Sequence, residues 1–331
     1  MSVITESKAR PRLAWVRYGN PLSGWQIKKA AGKFRAAILQ PWELEAAEKL
    51  KAADPNVTVL AYKCLSSIRD YEPGPIYSSG ISPATAERLG TAADVPVWKG
   101  YNGHIQQRVW EPEYQQAWVE EVCAEIIPGP FDGVMADNDV YEDYYDHGLD
   151  MEKTRAALGQ LVTTAGNALN AAGKLLVPNI AESRREPGRW NKHSNYGGGF
   201  EECWLGWGSA GEGWLSPETC LEQVAEMSND RLIIARVPGS TRNYNHHLSF
   251  ALAAAWVFLP THDVAVTATG HDQYNGVPLI DDIDLGEPTS DIIREGDSFR
   301  REFSAGQAMV NLGTEVDAFG LAPHSGQILV A

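Results

Sequence analysis

Acidic residues gather where apolar runs stop. FDGVMADNDVY, residues 131–141, closes an apolar run with Asp137, and Asp139 follows two residues later. GGGFEECW, residues 197–204, sets Glu201 and Glu202 behind three glycines, and Asp272 comes shortly after the run DVAVTAT. Two carboxylates facing each other across a pocket can cleave a glycosidic bond. One protonates the leaving oxygen while the other attacks the anomeric carbon or activates water. A carboxylate buried without purpose is costly, which favours a functional Asp137 over one that caps a turn or pairs with an arginine. Asp139 supports the same reading less directly, because Asn138 and Asp139 also suit a turn. Glu201 and Glu202 point to opposite faces of an extended chain, so at most one faces a pocket. Glu202 is preferred, Glu201 is the register-shifted alternative, and a solvent-facing pair at a loop end is the bland one.

Other chemistries find less support. His246, His247, His262 and His271 lack HExxH or HxH spacing, so neither a metal nor another cofactor is expected. No GxSxG elbow offers a serine nucleophile, and neither GxGxxG nor GxxxxGK[ST] marks a nucleotide site. Cys64, Cys123, Cys203 and Cys220 are widely spaced and read as buried thiols. A formal charge of −15 with no basic cluster argues against nucleic acid. No apolar stretch reaches the length of a membrane span, and the first residues, MSVITESKARPRLAW, have no secretory apolar core.

These acids need elements to position them, and the 331-residue chain supplies an alternating series. Residues 13–18, 36–40, 57–62, 132–137, 174–180, 202–207, 231–237 and 263–269 read as strands. Their near-continuous apolar character fits a parallel sheet covered on both faces. Helical spacing lies between them at PWELEAAEKLKAADP, 112–127, 151–173, 216–228 and 243–259. Eight strands alternating with helices predict an α/β fold, a (β/α)8 TIM barrel over residues 13–301. Residues 1–12 form an N-terminal extension, and 302–331 a short C-terminal β appendage. In a barrel the carboxyl ends of the strands converge on one pocket, which brings Asp137 to its floor. Two long connections, 63–111 and 181–201, follow strands and so fall on the same face.

Eleven tryptophans and twelve tyrosines suit stacking on the apolar faces of sugar rings, and Arg, Asn and Gln suit their hydroxyls. The candidates at strand ends and in their loops are Arg17, Tyr18, Gln40, Trp42, Tyr62, Lys63, Trp98, Tyr101, Asn102, Asn179, Glu182, Trp207, Arg236 and Asp272. Trp110, Trp190 and Trp214 lie in similar loops. For any single tryptophan, core packing is an equal alternative.

The strand-four FDGVMADN, the FEECW after a glycine-rich loop and the closing FSAGQAMVNLG…LAPHSGQILV resemble (β/α)8 glycoside hydrolases of the hypothetical glycosyl hydrolase type. These are distantly related to α-galactosidase, α-amylase and endo-α-1,4-polygalactosaminidase barrels. The resemblance covers roughly residues 13–331. It implies Asp137 as nucleophile and Glu202 as acid/base, with a polysaccharide or oligosaccharide as substrate. Related domains occur in actinophage tail proteins, which would place the chain in a virion, as a homo-oligomer or in a tail assembly, acting on a cell-wall glycan; secretion as a mature chain and the cytoplasm are the alternative locations. A non-catalytic carbohydrate-binding barrel and a metal-dependent barrel hydrolase are the competing readings.

Overall fold

The structure, a computed structural model, describes residues 9–180, 182–209, 213–239 and 244–331. The first eight residues of the expected N-terminal extension lie outside that set. Eight parallel strands form a closed barrel: β1 (Arg12–Arg17), β2 (Ala36–Leu39), β3 (Thr58–Cys64), β4 (Gly133–Asp139), β5 (Leu175–Ile180), β6 (Gly198–Glu201), β7 (Leu232–Pro238) and β8 (Val264–Thr269). Each strand neighbours the next in chain order, and β8 returns to β1. Every residue of β3, β7 and β8 is buried. That is why these strands read as continuous apolar runs and not as alternating ones.

The chain forms two compact units. The first comprises Trp15–Glu202 and Tyr274–Val277. Its strands pair in register from Ala36↔Thr58 through Leu60↔Gly133 to Gly133↔Leu175. Helices Leu44–Ala53, Pro112–Ile126 and Met151–Ala171 fall where the apolar spacing predicts them. The last opens on Asp150, whose side chain accepts from the Lys153 amide and satisfies a first-turn N–H. The long connection after β3 has structure of its own. Ser67–Arg69, Ala92–Trp98 and Tyr101–Gln107 make a three-stranded antiparallel sheet, and Pro83–Leu89 is helical. Pro, Gly and aromatics interrupt every short run here, so no period in the sequence announces these elements.

The second unit holds Cys203–Gln273 and Pro278–Ala331, with the N-terminal segment through Ala14. Helix Tyr244–Phe258 is apolar over most of its length, and its residues from Leu248 on are buried with few exceptions. A four-stranded antiparallel sheet, Ile293–Glu295, Ser298–Phe303, Gly306–Asn311 and Ser325–Val330, packs on it. Gly326 permits the contact, since a Cβ there would stand 2.7 Å from that of Ala253. The appendage sheet therefore starts at Ile293, ahead of residue 302.

One strand lies elsewhere than expected. Residues 202–205 are turn, Gly206 makes an isolated bridge to Trp214, and strand six is Gly198–Glu201. Cys203, Trp204 and Leu205 are buried without being extended, so their apolar run mimics a strand. Gly197 and Gly198, at φ +150° and +143°, enter β6 through a region closed to other residues.

The end of β4 is also irregular. Its pairing with β5 shifts register between Ala136 and Asp139, and Asn138 between them has φ +67°. In a regular strand Asp137 and Asp139 would share a face. The left-handed residue breaks that alternation and sends the two acids into different surroundings.

Candidate active site

Asp137 is half-buried at the carboxyl end of β4 and receives three side-chain donors. The Asn179 amide at the end of β5 donates to Oδ1 at 2.9 Å. The Tyr62 hydroxyl at the end of β3 donates to Oδ2 at 2.5 Å, and Asn138 Nδ2 donates to the same oxygen at 3.0 Å. Asn138 is itself held by Tyr145, whose hydroxyl donates to its Oδ1 at 2.7 Å. Burial pushes the Asp137 carboxyl up, and the neighbouring Glu202 carboxylate pushes it further, against Tyr62, Asn179 and Arg69.

Glu202 follows the last residue of β6. One of its oxygens accepts from Asn179 Nδ2 at 2.9 Å and the other from the Tyr274 hydroxyl. The Asn179 amide nitrogen thus bonds both carboxylates at once. Carboxylates only accept, so the NH2 edge of Asn179 must face them. Each bond is 2.9 Å long, so the two accepting oxygens lie no more than about 6 Å apart. Glu201, the other acid of the pair, is fully buried as the final residue of β6. Tyr18 packs edge-on against Tyr62 at 4.8 Å and tilted against Tyr274 at 4.7 Å. Burial first, then Asp137 and Glu202, push its phenol well above the ordinary value.

Asp139 belongs to a different cluster. It is fully buried, with Oδ1 accepting from Arg189 at 3.0 Å and Oδ2 bonded to His193 Nδ1. Burial works to raise its pKa, but Arg189 and His193 outweigh it and hold the carboxyl below the usual range.

The remaining candidates divide by location. Trp98 is buried and stacks on Tyr145 at 4.0 Å, with Tyr101 edge-on to Tyr145 at 5.7 Å. This cluster reaches the acids through Tyr145 and Asn138. Gln40 and Trp42, beyond β2, are half-buried, and Asn102 is exposed. Arg17 donates to the Tyr18 and Asn20 carbonyls and shapes the turn after β1. The structure does not bring Lys63 to Asp137. One residue beyond Tyr62 on an alternating strand, its ammonium bonds Glu125 at 2.8 Å and the Tyr77 carbonyl. Glu182 is occupied by Tyr144 at 2.6 Å and Arg185 at 2.8 Å. Trp190 is core, and Trp110 carries Lys153 over its ring at 4.7 Å.

Within the second unit, Arg236 is buried and bonded to Thr269 and the Gly208 carbonyl. Trp207 is exposed against the His271 ring, and His271 pairs with Asp272 at 3.1 Å. His247 lies parallel to Trp214 at 6.2 Å, and among the described residues no group of His, Cys, Asp and Glu could hold a metal. No helix among them is long and apolar enough to cross a membrane.

Sequence reasoning missed Arg69, Tyr145 and Tyr274. Arg69 sits in the connection after β3 and Tyr274 in the turn after β8, 72 residues from Glu202. Only their position after barrel strands could have flagged them.

A closed parallel barrel with two acids joined across its strand ends is the architecture of a barrel glycoside hydrolase. The chain belongs to hypothetical glycosyl hydrolase family 15, whose model matches residues 51–307. No curated protein matches it. Among solved structures it is similar to Aspergillus fumigatus Ega3 in complex with galactosamine, with a TM-score of 0.53. That match is 11% identical over 81% of this chain and 94% of the other. It is also similar to the α-amylase from Geobacillus thermoleovorans complexed with acarbose, 10% identical over 96% of each chain at a TM-score of 0.50. At these identities the likeness is one of fold.

Proposed function

We propose that this glycoside hydrolase cleaves a polysaccharide or oligosaccharide with retention of configuration, with Asp137 as nucleophile and Glu202 as acid/base. The carrying observation is the Asn179 amide that donates to both carboxylates at 2.9 Å. Acids close enough to share one amide suit retention, for which about 5–5.5 Å is usual, whereas inversion needs about 6.5–9.5 Å to admit a water between them. The three side-chain donors on Asp137 suit it as the attacking carboxylate.

In the first step an Asp137 oxygen bonds the anomeric carbon. The bond to the leaving sugar breaks, and the Glu202 proton passes to the departing oxygen. In the second step Glu202 takes a proton from water. That water's oxygen bonds the anomeric carbon as the ester to Asp137 breaks. Tyr18, Tyr101 and Tyr145 are the rings best suited to a sugar, with Trp98 buried against Tyr145. The test is proton NMR of the first product released from a panel of aryl glycosides and cell-wall or storage polysaccharides. Product that keeps the substrate's anomeric configuration is expected, and inverted product overturns the assignment.

A further inference from the structure

We propose that Arg69 is a positioning residue that acts through Tyr62. It commits the Tyr62 hydroxyl to Asp137 Oδ2 and leaves Oδ1 as the oxygen that attacks. The inference rests on Asp137 being the nucleophile. A phenol has one hydrogen to give. Arg69 donates to the Tyr62 oxygen at 2.7 Å, so that hydrogen points to Asp137, 2.5 Å away.

Arg69 cannot swing out of this role. Its Nε donates to His104 Nε2 at 3.2 Å, another nitrogen donates to Ser78, and Glu72 lies 3.8 Å from the guanidinium. Its backbone N–H donates to Ser79 at 3.0 Å, and its guanidinium lies 4.9 Å from the Tyr62 ring centre. A planar fork with that many partners is held rigidly, which a lysine would not reproduce. Burial opposes its charge, but Tyr62, Cys64 and Glu72 more than offset that and keep it protonated.

The two oxygens of Asp137 therefore differ. Oδ2 accepts from Tyr62 and from Asn138, which Tyr145 holds in turn. Among the described residues Oδ1 accepts from Asn179 alone, the donor it shares with Glu202. The less encumbered oxygen is the one on the acid/base side, where the scissile bond must lie. Once Oδ1 has bonded the anomeric carbon, Oδ2 becomes the ester carbonyl and keeps both donors. When the ester breaks, the returning charge spreads onto an oxygen already supplied with donors, which speeds departure. Arg69 hydrogen-bonds Tyr62 and also pulls directly on the Asp137 charge, a pull that Arg69→Lys retains, and Tyr18, Tyr145 and Glu202 also face that carboxyl.

The relay is tested by carbon-13 NMR titration of Asp137 in a Glu202→Gln background, which removes the coupled acid. The resonance is assigned by its loss in Asp137→Asn. Tyr62→Phe is expected to raise the Asp137 midpoint by about one pH unit. Arg69→Lys, which keeps a charge near Glu72, is expected to raise it by less, and to add almost nothing once the Tyr62 hydroxyl is gone. An Arg69→Lys shift that is undiminished in Tyr62→Phe, or a Tyr62→Phe midpoint equal to the parent's, overturns the relay. The second result decides the matter even where Arg69→Lys fails to fold. The titration needs no turnover, so it stands or falls apart from the nucleophile assignment, which activity of Asp137→Asn would sink.

Discussion

Asp137 and Asp139 stand two residues apart at the end of one strand, and the protein treats them in opposite ways. Asp137 is ringed by neutral donors and a second carboxylate, and its pKa is pushed up. Asp139 is closed over by Arg189 and His193, and its pKa is held down. A buried acid neutralised by cations is a fastening. An acid left with its charge incompletely matched stores reactivity at a cost in stability. Burial alone does not separate the two, because the fully buried acid is the one matched by Arg189 and His193.

Three substitutions, read in four measurements, probe this contrast, the largest effect first. Asp137→Asn lowers turnover on the order of 10⁴-fold or more while far-ultraviolet circular dichroism stays unchanged. A full-rate variant would end the comparison. Glu202→Gln costs roughly 10²–10⁴-fold, measured as kcat/KM on substrates with poor leaving groups, and little on activated aryl glycosides that need no acid. Asp139→Ala leaves Arg189 charged and buried, and lowers unfolding free energy by about 3–5 kcal/mol in urea titration. The molecules that remain folded keep their activity. Asp137→Asn, in contrast, stabilises the protein by roughly 1 kcal/mol at pH 7, because it removes repulsion with Glu202.

The pH dependence has opposite signs at the two acids. Asp139 has a folded pKa below the unfolded value of about 3.9, so its contribution is present above that pH. It is lost as pH falls through the depressed folded value. Asp137 is raised, so its contribution is full below about pH 3.9 and is lost as pH rises through the folded value. Melting curves of Asp139→Asn and Asp137→Asn between pH 3 and 7 should flatten these opposite slopes one at a time.

The barrel was legible in the sequence because strands covered on both faces leave unbroken apolar runs, as β7 and β8 do. Strand six escaped that logic. Its buried stretch of Cys203, Trp204 and Leu205 is turn, while the glycines that look like loop lead into the strand. The position of Asp137 at a strand end could be read from local pattern. The partners that define its chemistry could not. Arg69 and Tyr274 approach from connections whose spacing carries no period. Lys63 illustrates the limit at single-residue scale, since a strand end presents adjacent polar residues to opposite sides.

Asn138 governs how this site tolerates change. Its backbone sits in a left-handed conformation that glycine, asparagine and aspartate adopt readily and β-branched residues resist. Its side chain also links Tyr145 to Asp137, so glycine would satisfy the backbone and lose the link. The position is therefore doubly constrained, and more tightly than either acid is by sterics alone. In a library randomised across residues 137–139, survivors for folding should converge first on the middle residue. Survivors for activity should then add Asp137. A searcher scanning unfamiliar chains for this arrangement would do better to look for an asparagine pivot flanked by acids than for the acids themselves.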